Sequence, residues 1–181
     1  PDIESAIDAL QNEISLDSAV GIGGSVTIKS MKIAEKLIQR GNQVYWHWLE
    51  KTPECQKEAR KKALLSDVYL TSTNALTQKG QLVNTDGTGN RVASMMFGPK
   101  KVIVICGTNK IVRDLDEALV RNKESAVKNA KRLQSNTPCV TTGKCSDCNS
   151  KNRICRITTI IDRKPSQTEM VVMIIDKELG Y

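Results

Sequence analysis

Four cysteines crowd into one stretch of this chain: Cys139, Cys145, Cys148 and Cys155, spaced C-x5-C-x2-C-x6-C. Thiolate sulfur is a strong ligand, and two cysteines separated by two residues can reach one metal or one cluster. Two flanking cysteines complete four ligands. Zinc takes four thiolates tetrahedrally and a [4Fe–4S] cluster also takes four, so the spacing leaves both open, alongside four free thiols on a loop. The run resembles neither a zinc ribbon with two C-x2-C knuckles nor a ferredoxin. Pro138 and Gly143 suit a tight loop, and Lys144, Arg153 and Arg156 would offset thiolate charge. Cys55 and Cys106 stand alone, which with the tight cluster points to a reducing, cytoplasmic setting rather than a disulfide framework.

A second group of chemically capable residues lies upstream. Gly23, Gly24 and Ser25 sit between a strand-like and a helix-like segment. Such a turn is either a plain connection or a place where backbone and helix N-terminus receive a phosphate or carboxylate. The run is not G-x-G-x-x-G and no Walker lysine follows, so no nicotinamide, flavin or ATP site is read from it. Asp86-Gly87-Thr88-Gly89-Asn90-Arg91 follows another strand, Asn74 ends the strand before it, and Asn109-Lys110 follows a third. Taken singly, these residues cap turns or make ion pairs. Taken together, and if every strand is parallel, they converge on the glycine loop as a ligand pocket. Asp86, the one carboxylate among them, is then the candidate general base or hydroxyl binder. His47, in an aromatic strand with Trp46 and Trp48, reads as a packing residue.

The elements that must position these residues follow from periodicity. Residues 2–14 carry an apolar stripe at Ile3, Ile7, Leu10 and Ile14, a helix. Strands are expected at 19–22, 43–48, 67–73, 81–85 and 101–107, and helices from residue 26 to Arg40, at 54–65, at 92–97 and from Asp114 to Arg132. Lys101–Gly107 is β-branched and almost unbroken, as a strand covered on both faces would be. Two final strands, 156–162 and 169–175, read as a hairpin across a polar turn containing Pro165. The alternation predicts an α/β fold: a mainly parallel sheet flanked by helices, with a C-terminal strand pair and a Cys-rich loop at 136–155.

The totals set outer limits. A chain of 181 residues suits one domain with a real core. Its composition is that of a soluble globular protein, and no apolar run is long enough to span a bilayer. Net charge is +7, concentrated between Arg121 and Lys164, where eleven Lys and Arg face three acids. That field either steers anions or compensates a negative centre such as four thiolates. Nucleic-acid binding is disfavoured, because no aromatic residue interrupts this basic stretch to stack on a base. The chain starts at Pro1 without Met, so a preceding segment is expected.

The runs Val20–Ser25, Ser72–Leu76, Leu82–Arg91, Gly98–Val102, Gly107–Val112, Asn129–Leu133, Pro138–Cys155 and Glu178–Gly180 resemble the lactate-utilisation (LUD) domain family. DGTGNR, TNKIV and the cysteine segment together carry the likeness. It implies a single LUD domain over 1–181, an N-terminal helix over 1–18 that is truncated, and a fold similar to the NagB/ribose-5-phosphate isomerase/CoA-transferase superfamily. Carried over, anion binding falls on Gly23, Gly24, Ser25, Asp86, Gly87, Gly89, Asn90, Arg91 and Lys110. The resemblance further implies L-lactate oxidation alongside iron–sulfur partner subunits, and a homodimer. The competing expectation is a sugar-phosphate isomerase or transferase-like enzyme in which the cysteine loop holds a structural zinc.

Overall fold

A computed structural model of the chain describes residues 2–181. The elements run α1 (Ile3–Asn12), β1 (Ala19–Ile22), α2 (Val26–Ser30), α3 (Ile33–Arg40), β2 (Gln43–Trp46), α4 (Pro53–Leu64), β3 (Val68–Thr71), β4 (Ala75–Thr77), β5 (Leu82–Asp86), α5 (Asn90–Met96), β6 (Lys101–Gly107), a 3-10 turn (Thr108–Lys110), β7 (Ile111–Val112), α6 (Leu115–Arg132), α7 (Pro138–Thr142), β8 (Ile157–Ile161) and β9 (Glu169–Ile175). They fall into two compact units. One comprises Pro1–Ser72, Asn90–Asn109 and Lys164–Gly180, the other Thr73–Gly89, Lys110–Arg163 and Tyr181.

The first unit is the expected α/β layer structure. Its sheet has five strands in the order β2-β1-β3-β6-β9, all parallel. Every residue of β6 beyond Lys101 is buried, which explains its unbroken apolar run: a parallel strand with both faces covered cannot alternate. One face packs Val20, Ile22, Leu70, Ile103 and Ile105 against Leu10, Ile28 and Leu37. The N-terminal stripe ends there, with Ala6, Ile7 and Leu10 buried and the Asp2 carboxylate accepting from the Ser5 amide as the cap of α1.

Three strand starts are tied through one residue. The Asp67 amide donates to the Ala19 carbonyl (3.0 Å), and its own carbonyl accepts from the Lys101 amide (3.1 Å). Its carboxylate accepts from the Ala19 amide at 3.1 Å and from Lys100 Nζ at 2.8 Å. Beside it, Lys101 Nζ bridges Glu13 (2.5 Å) and Glu169 (3.1 Å).

The second unit carries a four-stranded sheet in the order β7-β4-β5-β8. β5 runs antiparallel to both β4 and β8. Helix α6 packs on β4 and β5, with Ala75, Val83 and Ala118 at the contact. Its cap is Asp114, which accepts from the Glu117 amide.

Several expectations need correction. The final strands are not a hairpin: β8 pairs with β5 in one sheet and β9 with β6 in the other. β5 is not part of the parallel sheet. The helix expected from residue 26 to Arg40 is two helices, broken at Met31–Lys32, where Lys32 is left-handed (φ 53°) with no glycine or proline to announce it. β4, β7 and α7 are additional elements. No helix among the described residues is long and apolar enough to cross a membrane.

The Asp67 clamp predicts an acid-sensitive fold. Lys100 first, then the Ala19 amide, hold its carboxyl below the ordinary aspartate value. A carboxyl depressed in the folded state contributes stability above its unfolded pKa and loses it as pH falls through the folded one. Urea unfolding of Asp67→Asn should show a protein less stable than the parent at pH 7, the gap closing as pH drops below 3.8. A gap that is constant with pH contradicts the clamp.

Candidate functional site

The order β2-β1-β3-β6-β9 reverses direction between β1 and β3. In open parallel sheets that reversal opens a crevice outside the carboxyl ends of the strands, where ligands bind. The chain leaving β1 there is Gly23-Gly24-Ser25, that leaving β2 is His47-Trp48, and that leaving β3 is Ser72. Asn109 follows β6 on the same edge.

The glycines have different reasons. The Gly23 amide donates to Leu70 O at 2.9 Å, extending the β1–β3 ladder past the strand, and its carbonyl accepts from Trp46 Nε1 at 3.2 Å. A Cβ at Gly23 would stand 2.9 Å from Tyr69 Oη, 3.1 Å from Thr71 Oγ1 and 3.2 Å from Arg91 Cγ. Glycine is required here so that buried Arg91 can lie across the loop, its Nη1 donating to Ser72 O at 3.1 Å. Gly24 is roomier, with the His47 ring 3.4 Å from a would-be Cβ.

Ser25 caps α2, its Oγ accepting from the Ile28 amide at 3.2 Å. Because α2 is only five residues long, the helix-dipole attraction expected at Ser25 shrinks. Positive charge at this edge comes instead from Arg91 and from Lys29, whose Nζ lies 5.8 Å over the Trp48 ring.

His47 was read as packing, and it is buried, but it also borders the glycine loop and meets Trp48 edge-on with centroids 6.0 Å apart. Its place at the end of β2 was the available signal: the strand-end rule applies to it as much as to Asn74 or Asn109. Tyr69 and Thr71, whose hydroxyls crowd Gly23, were missed because residues inside a buried strand carry no motif.

The remaining expected site residues divide by unit. Gly23, Gly24, Ser25, Asn90, Arg91 and Asn109 belong to the first; Asn74, Asp86, Gly87, Gly89 and Lys110 belong to the second. Asn109 Oδ1 accepts from the Leu179 amide at 3.1 Å and so anchors the C-terminal strap. Asn90 opens α5, its carbonyl accepting from Ser94 Oγ. Asn74 stitches β4 to β5, its amide donating to Asn84 Oδ1 (3.1 Å) and its Oδ1 accepting from the Thr85 amide (3.0 Å). Lys110 is buried at the end of the 3-10 turn. Asp86 Oδ1 accepts from the Gly87 amide at 2.9 Å, and the Asp86 carbonyl accepts from the Arg156 amide at 3.0 Å.

That last bond ties the DGTG turn to the cysteine loop. A Cβ at Gly87 would lie 2.8 Å from the Ile154 carbonyl, and one at Gly89 3.0 Å from Ile157 Cδ1. Within this unit the two glycines let the cysteine loop dock on the end of β5.

All four cysteines of the loop line a single cavity with Lys123, Arg153 and the Ala126–Ala130 face of α6, enclosing about 350 Å3 of empty volume including its open mouth. Cys139 is on α7, which Pro138 opens and left-handed Gly143 (φ 75°) ends. The Asp147 amide points at Cys145 Sγ (3.4 Å), from a left-handed residue (φ 48°) inside the C-x2-C turn. Thr137 Oγ1 lies 3.2 Å from Cys139 Sγ. Arg153 donates to the Cys148 and Cys155 carbonyls at 2.7 and 3.0 Å. The Cys155 side chain, then Asp147, holds the Arg153 guanidinium more firmly protonated than usual. Among the described residues no three His, Cys, Asp or Glu side chains are close enough to hold one metal ion as they stand. The donor set fits a metal or cluster in type, number and surrounding positive charge; the sulfurs share a cavity without converging on a point.

The chain matches the LUD domain family over residues 1–175, and it belongs to that family. No curated protein matches it. Among solved structures it is similar to a DUF162 family protein from Deinococcus radiodurans, at 13% identity over 95% of this chain and 96% of that one, with TM-score 0.37. Another is eIF2B delta from Chaetomium thermophilum, at 18% identity over 65% of this chain and 50% of that one, also at TM-score 0.37.

The two glycines of the β1 loop differ in how tightly their surroundings are packed. Gly23→Ala should cost about 1–3 kcal/mol from overpacking, whereas Gly24→Ala should stay within about 0.5 kcal/mol of the parent. Thermal unfolding of both variants checks this; equal losses contradict the assignment.

Proposed function

We propose that this LUD-domain protein serves the oxidation of L-lactate or a related small organic acid, holding the acid's anion at the glycine loop and an iron–sulfur cluster in the cysteine cavity. The observation that carries the reading is Arg91 lying across the glycine loop at the reversal between β1 and β3. A planar guanidinium matches a carboxylate or phosphate two bonds at a time. Gly24 lets such an anion approach the backbone, and Lys29 adds charge. His47 borders the loop beside Gly24, where a ring nitrogen can exchange a hydrogen bond with a bound acid. Asp86, the base expected from the sequence, belongs to the other unit, at the turn on which the cysteine loop docks.

An iron–sulfur cluster, when bound, supplies one-electron transfer. The chain's part is to present the Cys139, Cys145, Cys148 and Cys155 thiolates, with Arg153 and the Asp147 amide easing their charge. A zinc ion needs all four sulfurs about 2.3 Å from one point. A [4Fe–4S] cluster takes one thiolate on each of its four irons, and the cavity that all four cysteines line brings four such ligands to one place. A cytoplasmic setting and iron–sulfur partner subunits go with this reading. The alternative, a sugar-phosphate isomerase or transferase with a structural zinc, uses the same anion edge and differs at the cysteines.

Anaerobic purification separates the two. The proposal predicts bound iron and broad visible absorption, both lost in Cys148→Ser. Colourless protein with stoichiometric zinc favours the alternative, and metal content unchanged in Cys148→Ser removes the ligand set. Independently, Arg91→Gln should weaken binding of L-lactate or inorganic phosphate at least about tenfold by calorimetry, as loss of a charged hydrogen-bonding partner does. Unchanged affinity in a folded variant contradicts the anion site.

A further inference from the structure

From Gly143 to Arg156 the chain is irregular backbone and one turn, so Cys145, Cys148 and Cys155 take their positions from neither a helix nor a strand. Left extended, the seven steps from Cys148 to Cys155 would span up to about 25 Å. One side chain closes that distance. Arg153 Nη1 donates to the Cys148 carbonyl at 2.7 Å, and its Nε donates to the Cys155 carbonyl at 3.0 Å. Its Nη2 donates to Asp147 Oδ1 at 3.2 Å, inside the C-x2-C turn. The three nitrogens share one carbon in a rigid plane, so the groups they bind are drawn together.

Arg153 is itself anchored. Its amide donates to the Ser150 carbonyl at 3.1 Å, and its carbonyl accepts from Arg156 Nε at 3.0 Å. The Arg156 amide in turn donates to the carbonyl of Asp86, the last residue of β5, at 3.0 Å. A path of hydrogen bonds therefore runs from the sheet through two arginines to the backbone of Cys148 and Cys155. Every bond in it joins protein groups.

We infer that Arg153 is a positioning residue: its guanidinium fork sets the separation of Cys148 and Cys155 before a metal or cluster binds. This rests on the cysteine ligand set proposed above and holds for a cluster and for zinc alike. The shape of the group matters more here than its charge. A lysine supplies the same charge at one point and cannot span two carbonyls and Asp147 together. A loop ordered beforehand loses less conformational freedom when metal binds, which raises affinity. Groups that orient metal ligands from behind typically change metal affinity by about ten- to a hundredfold.

Cobalt(II) titration of the reduced, metal-free chain tests it, read from thiolate-to-cobalt absorption. Arg153→Lys should weaken cobalt binding about tenfold or more and lower the absorption per bound cobalt, because fewer thiolates reach the ion. Lys123→Met removes a charge from the same cavity, leaves the carbonyl bonds in place and should lose less than Arg153→Lys. Hydrogen exchange of the metal-free proteins reads the ordering directly: the Arg153 and Arg156 amides should exchange faster in Arg153→Lys than in the parent. If Arg153→Lys does not fold, Arg156→Lys, which releases the Arg153 carbonyl, should move both readouts the same way. Cobalt uptake by the parent with Arg153→Lys unchanged, or with Lys123→Met losing as much, overturns the inference and leaves the ligand set standing. A parent that takes up no cobalt, or uptake unchanged in Cys148→Ser, overturns the ligand set and the inference together.

Discussion

The architecture of the first unit depends on one constraint: β1, β3 and β6 run parallel in a fixed register. Parallel strands end on the same side, so whatever follows them is gathered without any long-range pairing of its own. Asp67 sets that register at the opposite side by binding the starts of β1 and β6 to β3. Gly23 carries the β1–β3 pairing one step beyond the strand, and Arg91 then fits across it because no Cβ intervenes. Clamp, ladder and glycine loop form one mechanical chain that ends in a cation at the crevice.

The second unit solves a different problem. Four cysteines on an irregular loop need a rigid base, and β5 with α6 supplies it. The loop leaves α6 through α7 and rejoins the sheet as β8, while Gly87 admits the Ile154 carbonyl at a distance no side chain would permit. The glycines of DGTGNR therefore have a packing reason independent of any ligand. Two members of the local excess of positive charge, Lys123 and Arg153, stand at the cavity that the four cysteines line.

What the sequence revealed divides along physical lines. The parallel core was legible, because β6 can be nearly all apolar only if both faces are covered. The helices α1 and α6 were legible from their apolar stripes, and the cysteine cluster from spacing. Strand direction was not, because alternation is the same in parallel and antiparallel pairs; β5 was therefore placed on the wrong sheet and β8–β9 taken for a hairpin. β4 and β7, of three and two residues, are too short for any period. The break at Lys32 is a tertiary effect on a residue that normally avoids that conformation. His47 was set aside because its apolar neighbours outweighed its position at a strand end.

The central claim is that the carboxyl edge of the parallel sheet, at Gly23–Ser25 and Arg91, receives a small anion. Amide chemical-shift mapping during titration with L-lactate, and separately with inorganic phosphate, tests it most directly. Saturable shifts confined to Gly23, Gly24, Ser25, His47, Ser72 and Arg91 are predicted. Saturation with those resonances unmoved, or with shifts centred elsewhere, contradicts the account.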